Sequence, residues 1–285
     1  MGRVSQAVKM EHYEDYSAGD TARSESVLLT VWAALHDLTE DLVLVGGLVP
    51  RYICRAAAET LHPVTMDVDL GVSLALSSGM YDTTKTRLQK AGFDWKDKRF
   101  VKTIGKTHLF LDFLTDKPSD TAPDSAMVDD IPVGAVFGVS RALNVYREID
   151  VSGKDLYGAN VTERVKVCEV GPFICLKLQA YHNRAQNKDV FDFVHAVRDY
   201  DGGAEAAVAA FHAESGRNLA FERAMHTLTN RFAEETSKGP LQYADFCAGS
   251  LMADSAADGE FLRQQYANEA VDAAQALLRR DVGRS

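Results

Sequence analysis

Asp67 and Asp69 stand one residue apart in TMDVDLGV, where Met66, Val68 and Leu70 alternate with them. That alternation is strand periodicity, so both carboxylates project from one face. Two hard oxygen ligands in this spacing suit Mg²⁺, which uses one or two carboxylates, keeps waters and takes the rest from substrate phosphates. Such an ion neutralises a triphosphate and aligns an attacking hydroxyl. D-x-D alone equally describes the polar face of an edge strand. Asp112, in HLFLDFLT, is flanked by large apolar residues on a second predicted strand. A carboxylate there is costly to bury unless paired or metal-bound. It is the natural third member, either as general base toward an acceptor hydroxyl or as a ligand.

Gly46 and Gly47 close the apolar run LVLV just before a helix signal at Pro50. Glycine lets the backbone approach a ligand, and free N–H groups at a turn hold phosphate oxygens. Arg51 and Arg55, one helical turn apart, follow the pair and are candidate phosphate contacts. Further along, Lys177, Tyr181, Arg184 and Lys188 fall at offsets that form one stripe if a single helix persists. Cations on such a stripe suit a triphosphate, and Asp189 reads as a cap for the following helix. Each of these also has a plainer reading as a solvated face. His62, Thr65 and His108 flank the acidic strands and read as ordinary surface positions, with a supporting role at the site as the alternative.

The elements that must position these residues are legible in outline. A polar arm is expected over 1–24, a helix over 25–38 capped by Ser24, a strand at 42–45, and a helix over 51–59. A helix over 81–91 ended by Gly92 follows, then two strands, RFVKTIG and KTHLFLDFLT, joined by a short turn at Gly105 and Lys106. Residues 115–134 read as a polar, mobile connection. Three short strands are expected at 141–149, 158–163 and 165–170. Pro172 then opens a helix, and a second starts near Asp189. Alanine-rich helices at 204–213, 220–236 and 259–279 place a soft boundary near 200. The division is thus a 1–24 arm, a 25–200 α/β (α+β) domain with a mixed sheet flanked by helices, and a 201–285 helical region.

Composition sets bounds. The 285 residues are 46% hydrophobic and 25% charged, an ordinary globular balance. The net charge of −10 gives the chain no general attraction for polyanions, so nucleic acid would need a local basic patch. The 4 cysteines have neither C-x-x-C nor zinc-finger spacing and read as buried thiols in a reducing compartment. No apolar leader or 18-residue apolar run is present, so a cytoplasmic protein without a membrane segment is expected. The chain contains no Walker A, G-x-S-x-G, H-E-x-x-H or Rossmann glycine pattern.

The order strand, Gly46-Gly47, helix, Asp67-Val-Asp69, then Asp112 resembles the nucleotidyltransferase superfamily. The segment LKLQAYHNRAQNKDVFDFVHAV, with Lys177, Lys188, Asp189 and Asp192, resembles the AbiEii/AbiGii-type toxin nucleotidyltransferases. The resemblance covers about residues 40–200. It implies a nucleotidyltransferase fold and transfer of a nucleoside monophosphate from an NTP to a hydroxyl acceptor. Asp67, Asp69 and Asp112 would bind Mg²⁺ or Mn²⁺. Gly46, Gly47, Arg51, Lys177, Lys188 and Asp189 would bind nucleotide, with Lys177 also catalytic. It further implies tRNA as one acceptor and a cognate antitoxin as partner, in an abortive-infection or toxin–antitoxin setting. An aminoglycoside-like small-molecule acceptor and a non-catalytic NTP-binding scaffold are the alternatives.

Overall fold

The structure is a computed structural model that describes residues 11–54, 61–62, 64–76, 82–97, 99–105, 107–249 and 256–279. In chain order, helix α1 (Ala18–Ala34) precedes strand β1 (Leu42–Leu44), α2 (Pro50–Ile53), β2 (Asp67–Val72) and α3 (Thr84–Lys90). Strands β3 (Asp94–Lys96), β4 (Arg99–Ile104), β5 (Thr107–Asp116), β6 (Ser125–Val128) and β7 (Ile131–Val136) follow. Then come α4 (Val139–Asn144), β8 (Tyr146–Lys154), β9 (Asn160–Cys168), α5 (Val170–Arg184) and α6 (Asn187–Asp199). The chain continues with α7 (Ala204–His212), α8 (Phe221–Arg231), α9 (Lys238–Ala248) and α10 (Ala256–Leu278).

The strands form one mixed open sheet in the order β3-β4-β5-β2-β1-β9-β8, with β7 beside β5 and β6 beside β7. Strand β5 is long enough to serve two neighbours on one edge. Its first half pairs antiparallel with β4, and its last residues pair parallel with β7. Strand β2 runs parallel to β5 and antiparallel to β1. The antiparallel pairing carries the end of β1, with the glycine pair, to the start of β2, where the two aspartates lie. The α/β class, the mixed sheet with flanking helices and the helical C-terminal region are as expected. Among the described residues, no helix is long and apolar enough to cross a membrane.

Helix α1 buries Val27, Leu28, Val31 and Leu35 completely, about 2 kcal/mol of transfer free energy each. It starts earlier than expected, so residues 18–24 belong to it rather than to the polar arm. Its cap is Ser17, which accepts from Asp20 N at 3.1 Å while Asp20 Oδ2 accepts from Ser17 N at 3.1 Å. This capping box outweighs Ser24 as a start signal. Ser24 lies buried inside the helix, and its Oγ donates to Asp20 O and Thr65 O.

Other expectations need correction. Residues 115–134 are not a structureless connection: Thr115 and Asp116 end β5, and β6 and β7 form a hairpin. The three strands expected over 141–170 are α4 followed by the long β8–β9 hairpin, whose nine register pairs run from Tyr146↔Cys168 to Lys154↔Asn160. Strand β3 and helix α9 were not anticipated. The helix expected over 51–59 ends at Ile53, because Cys54 turns extended and bridges to Tyr200, and Arg55 lies outside the described residues. So does Tyr81, where the next helix was expected to begin. All 4 cysteines are free, and Cys168, Cys175 and Cys247 are buried. Buried residues on both sides of position 200 belong to one hydrophobic cluster, with Phe173, Phe193, Phe211 and Phe246 among them.

Candidate functional site

The β2–β5 register pairs Asp69 with Asp112 and Asp67 with Phe110. Because side chains alternate along a strand, all three aspartates lie on one sheet face. Strand β4 adds a fourth member to this row. Its antiparallel ladder with β5 reaches Phe100↔Leu111, so Arg99 stands one position further on, opposite Asp112. Arg99 Nε donates to Asp112 Oδ1 at 2.8 Å and Nη2 to Oδ2 at 2.5 Å. The same Nη2 lies 3.7 Å from Asp67 Oδ1. The guanidinium stacks over Phe110, 4.2 Å from the ring centroid.

Local contacts hold the acidic strand in place. Thr65 N donates to Thr21 Oγ1 of α1, Ser24 Oγ donates to Thr65 O, and Asp67 N donates to Thr65 Oγ1. Helix α1 thus clamps the peptide group that leads into β2. Val45 N donates to Asp69 O, continuing the β1–β2 ladder up to the glycine pair. A Cβ on Gly46 would lie 1.7 Å from Asp69 Oδ2, so the Asp69 carboxylate occupies the space a side chain would need. A Cβ on Gly47 would meet Lys188 Nζ at 2.5 Å and Thr65 Oγ1 at 3.0 Å.

Basic groups arrive from the α5–α6 corner. Lys177 Nζ and Lys188 Nζ both lie 2.7 Å from Asp192 Oδ2. Arg184 grips Asp189 with Nε and Nη2, at 2.7 and 2.6 Å. The expected single stripe does not exist. Helix α5 ends at Ala185, which takes the left-handed conformation at φ 51°, ψ 43°, and Lys188 belongs to α6. Tyr181 is fully buried and donates to Gln242 Oε1 rather than facing the site. Nor does Asp189 cap α6. The cap position is Gln186, and Asp189 sits inside the first turn, where its main partner is Arg184. Lys177 is 3.9 Å from Asp189, so Asp192 is the group that orients it.

The electrostatics join the two halves. Asp67 is pushed up to about 6, first by burial and then by repulsion from Asp69, with Arg99 opposing and Lys188 also helping the charge. Its side chain still keeps 45% exposure, so solvent reaches it. Asp112 is also raised, by burial first and then by Asp69, against the Arg99 hydrogen bonds and the attraction of Arg184. Burial works against the charge on Asp192, but Lys177 and Lys188 outweigh it and hold that carboxyl low. Tyr16, just before α1, is raised by burial, then by the charges of Asp192 and Asp67.

Of the residues singled out in the sequence, Asp67, Asp69, Asp112, Gly46, Gly47, Lys177, Lys188 and Asp189 therefore converge. Arg51 is engaged elsewhere, donating to Glu25 at 3.1 and 3.2 Å. His108 is an exposed residue bonded to Thr103. Arg99 and the central role of Asp192 were missed. Arg99 was within reach: the short turn expected after Ile104 would set Ile104 opposite Thr107, as the register has it, and counting outward sets Arg99 opposite Asp112.

Carboxylate oxygens are the donor type a hard divalent cation takes, but with Arg99 on both oxygens of Asp112 no group of three among the described residues is arranged to hold a metal ion. Three carboxylates share a face, burial first and then repulsion from Asp69 raise Asp67 and Asp112, and the Asp69 side chain is seated in the space above Gly46. No protein-family model matches the chain, and neither a curated protein nor a solved structure matches it.

Proposed function

We propose that the protein is a divalent-cation-dependent nucleotidyltransferase that moves an NMP from an NTP onto a hydroxyl acceptor. The observation that carries this reading is the register pairing of Asp69 with Asp112, with Asp67 on the same face and the α5–α6 cations alongside. Like charges on neighbouring strands are destabilising, so the row needs positive charge, which Arg99 supplies in part and a bound cation would complete. Asp67, Asp69 and Asp112 would hold Mg²⁺ or Mn²⁺. When bound, the ion supplies charge neutralisation at the phosphates and alignment for in-line displacement.

The remaining work falls to the chain itself. Backbone N–H groups at Gly46 and Gly47 face phosphate oxygens. Lys188, against Gly47, and Arg184 offset the triphosphate charge. Asp112 takes the proton of the acceptor hydroxyl as its oxygen bonds to the α-phosphorus and pyrophosphate leaves. Lys177 is only 7% exposed, so it acts by fixing Asp192 and, through it, Lys188. A tRNA acceptor and an antitoxin partner rest on the family resemblance alone.

The test is incubation of purified protein with labelled NTPs and Mg²⁺ plus either total tRNA or an aminoglycoside. Transfer of label to either acceptor, lost in Asp67→Asn and Asp69→Asn variants that keep the parent's circular dichroism, supports the reading. Undiminished turnover in both variants refutes it. A second reading, an NTP-binding scaffold without catalysis, is favoured by one feature: both oxygens of Asp112 are engaged by Arg99. Calorimetric binding of Mg²⁺–NTP with no transfer to any acceptor would select it.

A further inference from the structure

Arg99 is the one residue of the acidic row whose sign is opposite to its neighbours', and it spans the gap between two of them. Its guanidinium takes both oxygens of Asp112, reaches toward Asp67 and sits over the Phe110 ring. It is also half-buried rather than sealed in, with a side-chain exposure of 33%. A guanidinium and a divalent cation repel each other at such short range. Asp112 therefore cannot serve both fully at once. The planar fork of arginine fits a phosphate as well as it fits a carboxylate, so it has a second partner of the same shape to turn to.

We propose that Arg99 is an exchangeable internal counter-cation, which holds Asp112 until a divalent cation takes it and then passes to the phosphoryl oxygens of the nucleoside triphosphate. The proposal rests on the nucleotidyl-transfer reading and adds to it a coupling between metal and nucleotide. The ion alone must displace a bidentate ion pair, so it binds weakly. With the triphosphate present, the displaced guanidinium has a new partner, so the two ligands assist one another. That assistance is reciprocal, as any binding linkage must be. Phe110 supplies the platform on which the guanidinium stays stacked in both arrangements.

The experiment titrates the full chain with Mn²⁺ alone, followed by electron paramagnetic resonance, for the parent, Arg99→Gln and Arg99→Lys. Affinity for a non-hydrolysable ATP analogue is then measured by calorimetry at saturating Mg²⁺. Exchange predicts that Arg99→Gln binds Mn²⁺ about tenfold or more tightly, since a positive charge within a few ångströms of the ion is gone. It predicts that the same variant binds the analogue about tenfold more weakly. Arg99→Lys, which keeps the charge without the fork, should fall between them in both measurements, and it serves alone if Arg99→Gln does not fold. A purely structural ion pair would lower the melting temperature and leave Mn²⁺ affinity unchanged or reduced. That result overturns the exchange while leaving the three-carboxylate site standing. If no chain binds Mn²⁺, the site itself fails and the exchange fails with it.

Discussion

Asp69 and Asp112 are direct register partners on neighbouring parallel strands, with no residue between them. Adjacent strands lie about 4.8 Å apart, so two carboxylates are held side by side by the backbone ladder itself. Nothing in sheet energetics favours that pairing. The surrounding protein answers it with charge: Arg99 on the far side of Asp112, and Lys188 and Arg184 from the α5–α6 corner.

The raised carboxyl of Asp67 gives a pH signature. In the unfolded chain it releases its proton near 3.8, and in the folded protein at about 6. Between those values the folded state binds more protons, so stability falls as pH rises through that window. Asp67→Asn lacks the group. In the presence of a chelator, its melting temperature should gain on the parent's from pH 4 to about pH 6.5 and hold level above. A gap between the two curves that does not change with pH would rule this out.

The glycine pair should respond unequally to alanine. At Gly46 the new methyl would collide with the Asp69 carboxyl group, with contacts of 1.7 Å to Oδ2 and 2.5 Å to Cγ. Gly46→Ala should therefore cost transfer activity about as much as Asp69→Asn does. At Gly47 the closest atom is the flexible end of Lys188. Gly47→Ala should weaken nucleotide binding by about tenfold at most, with turnover at saturation nearly kept. Kinetics of the two variants side by side decide the matter.

Asp192 is wholly buried, and its Oδ2 takes both Lys177 and Lys188. Asp192→Asn leaves those two ammonium groups with only the longer contact of Lys177 to Asp189, at 3.9 Å, to offset them. The expected loss is about 3 kcal/mol or more, read as a lower urea midpoint. Because the folded carboxyl is held below its ordinary 3.8, the stability it contributes is present above that pH and fades on acidification through the lowered value. Parent and variant should therefore converge in stability at low pH. If they stay equally far apart there, the ion pair is not the cause.

The C-terminal helices act on the site through the corner at Ala185. Gln242 of α9 donates to Ala185 O and Asn187 Oδ1, and accepts from Tyr181. Arg231 of α8 donates to the α5 carbonyls of Tyr181 and His182. Gln242→Ala should cost about 1–3 kcal/mol and lower turnover, because the groups it leaves unpaired fix Arg184 and Lys188. Ala185→Gly should do the reverse for stability. Removing a Cβ from a left-handed residue relieves about 1 kcal/mol and should raise the melting temperature by about 2 °C. A melting temperature that falls in Ala185→Gly would show that no strain is stored there.

Local pattern alone determined a good deal. The period-two alternation in TMDVDLGV sets Asp67 and Asp69 on one face, and LVLV before Gly46 marks β1. The same holds for the β4–β5 hairpin, whose short turn dictates its register and, by counting, the Arg99–Asp112 pair. Each of these depends on contacts within a few residues, which the order of side chains encodes directly. Only the tertiary structure decided that β2 lies beside β5, because parallel pairing across about forty residues leaves no local trace. The break between α5 and α6 was expected from the sequence, but its left-handed turn at Ala185 was not, since no proline or glycine marks it; Gln242 and Arg231, far along the chain, satisfy the carbonyls around it. Periodicity reports which face a residue shares with its near neighbours. Which strand lies next to that face depends on how the whole chain packs.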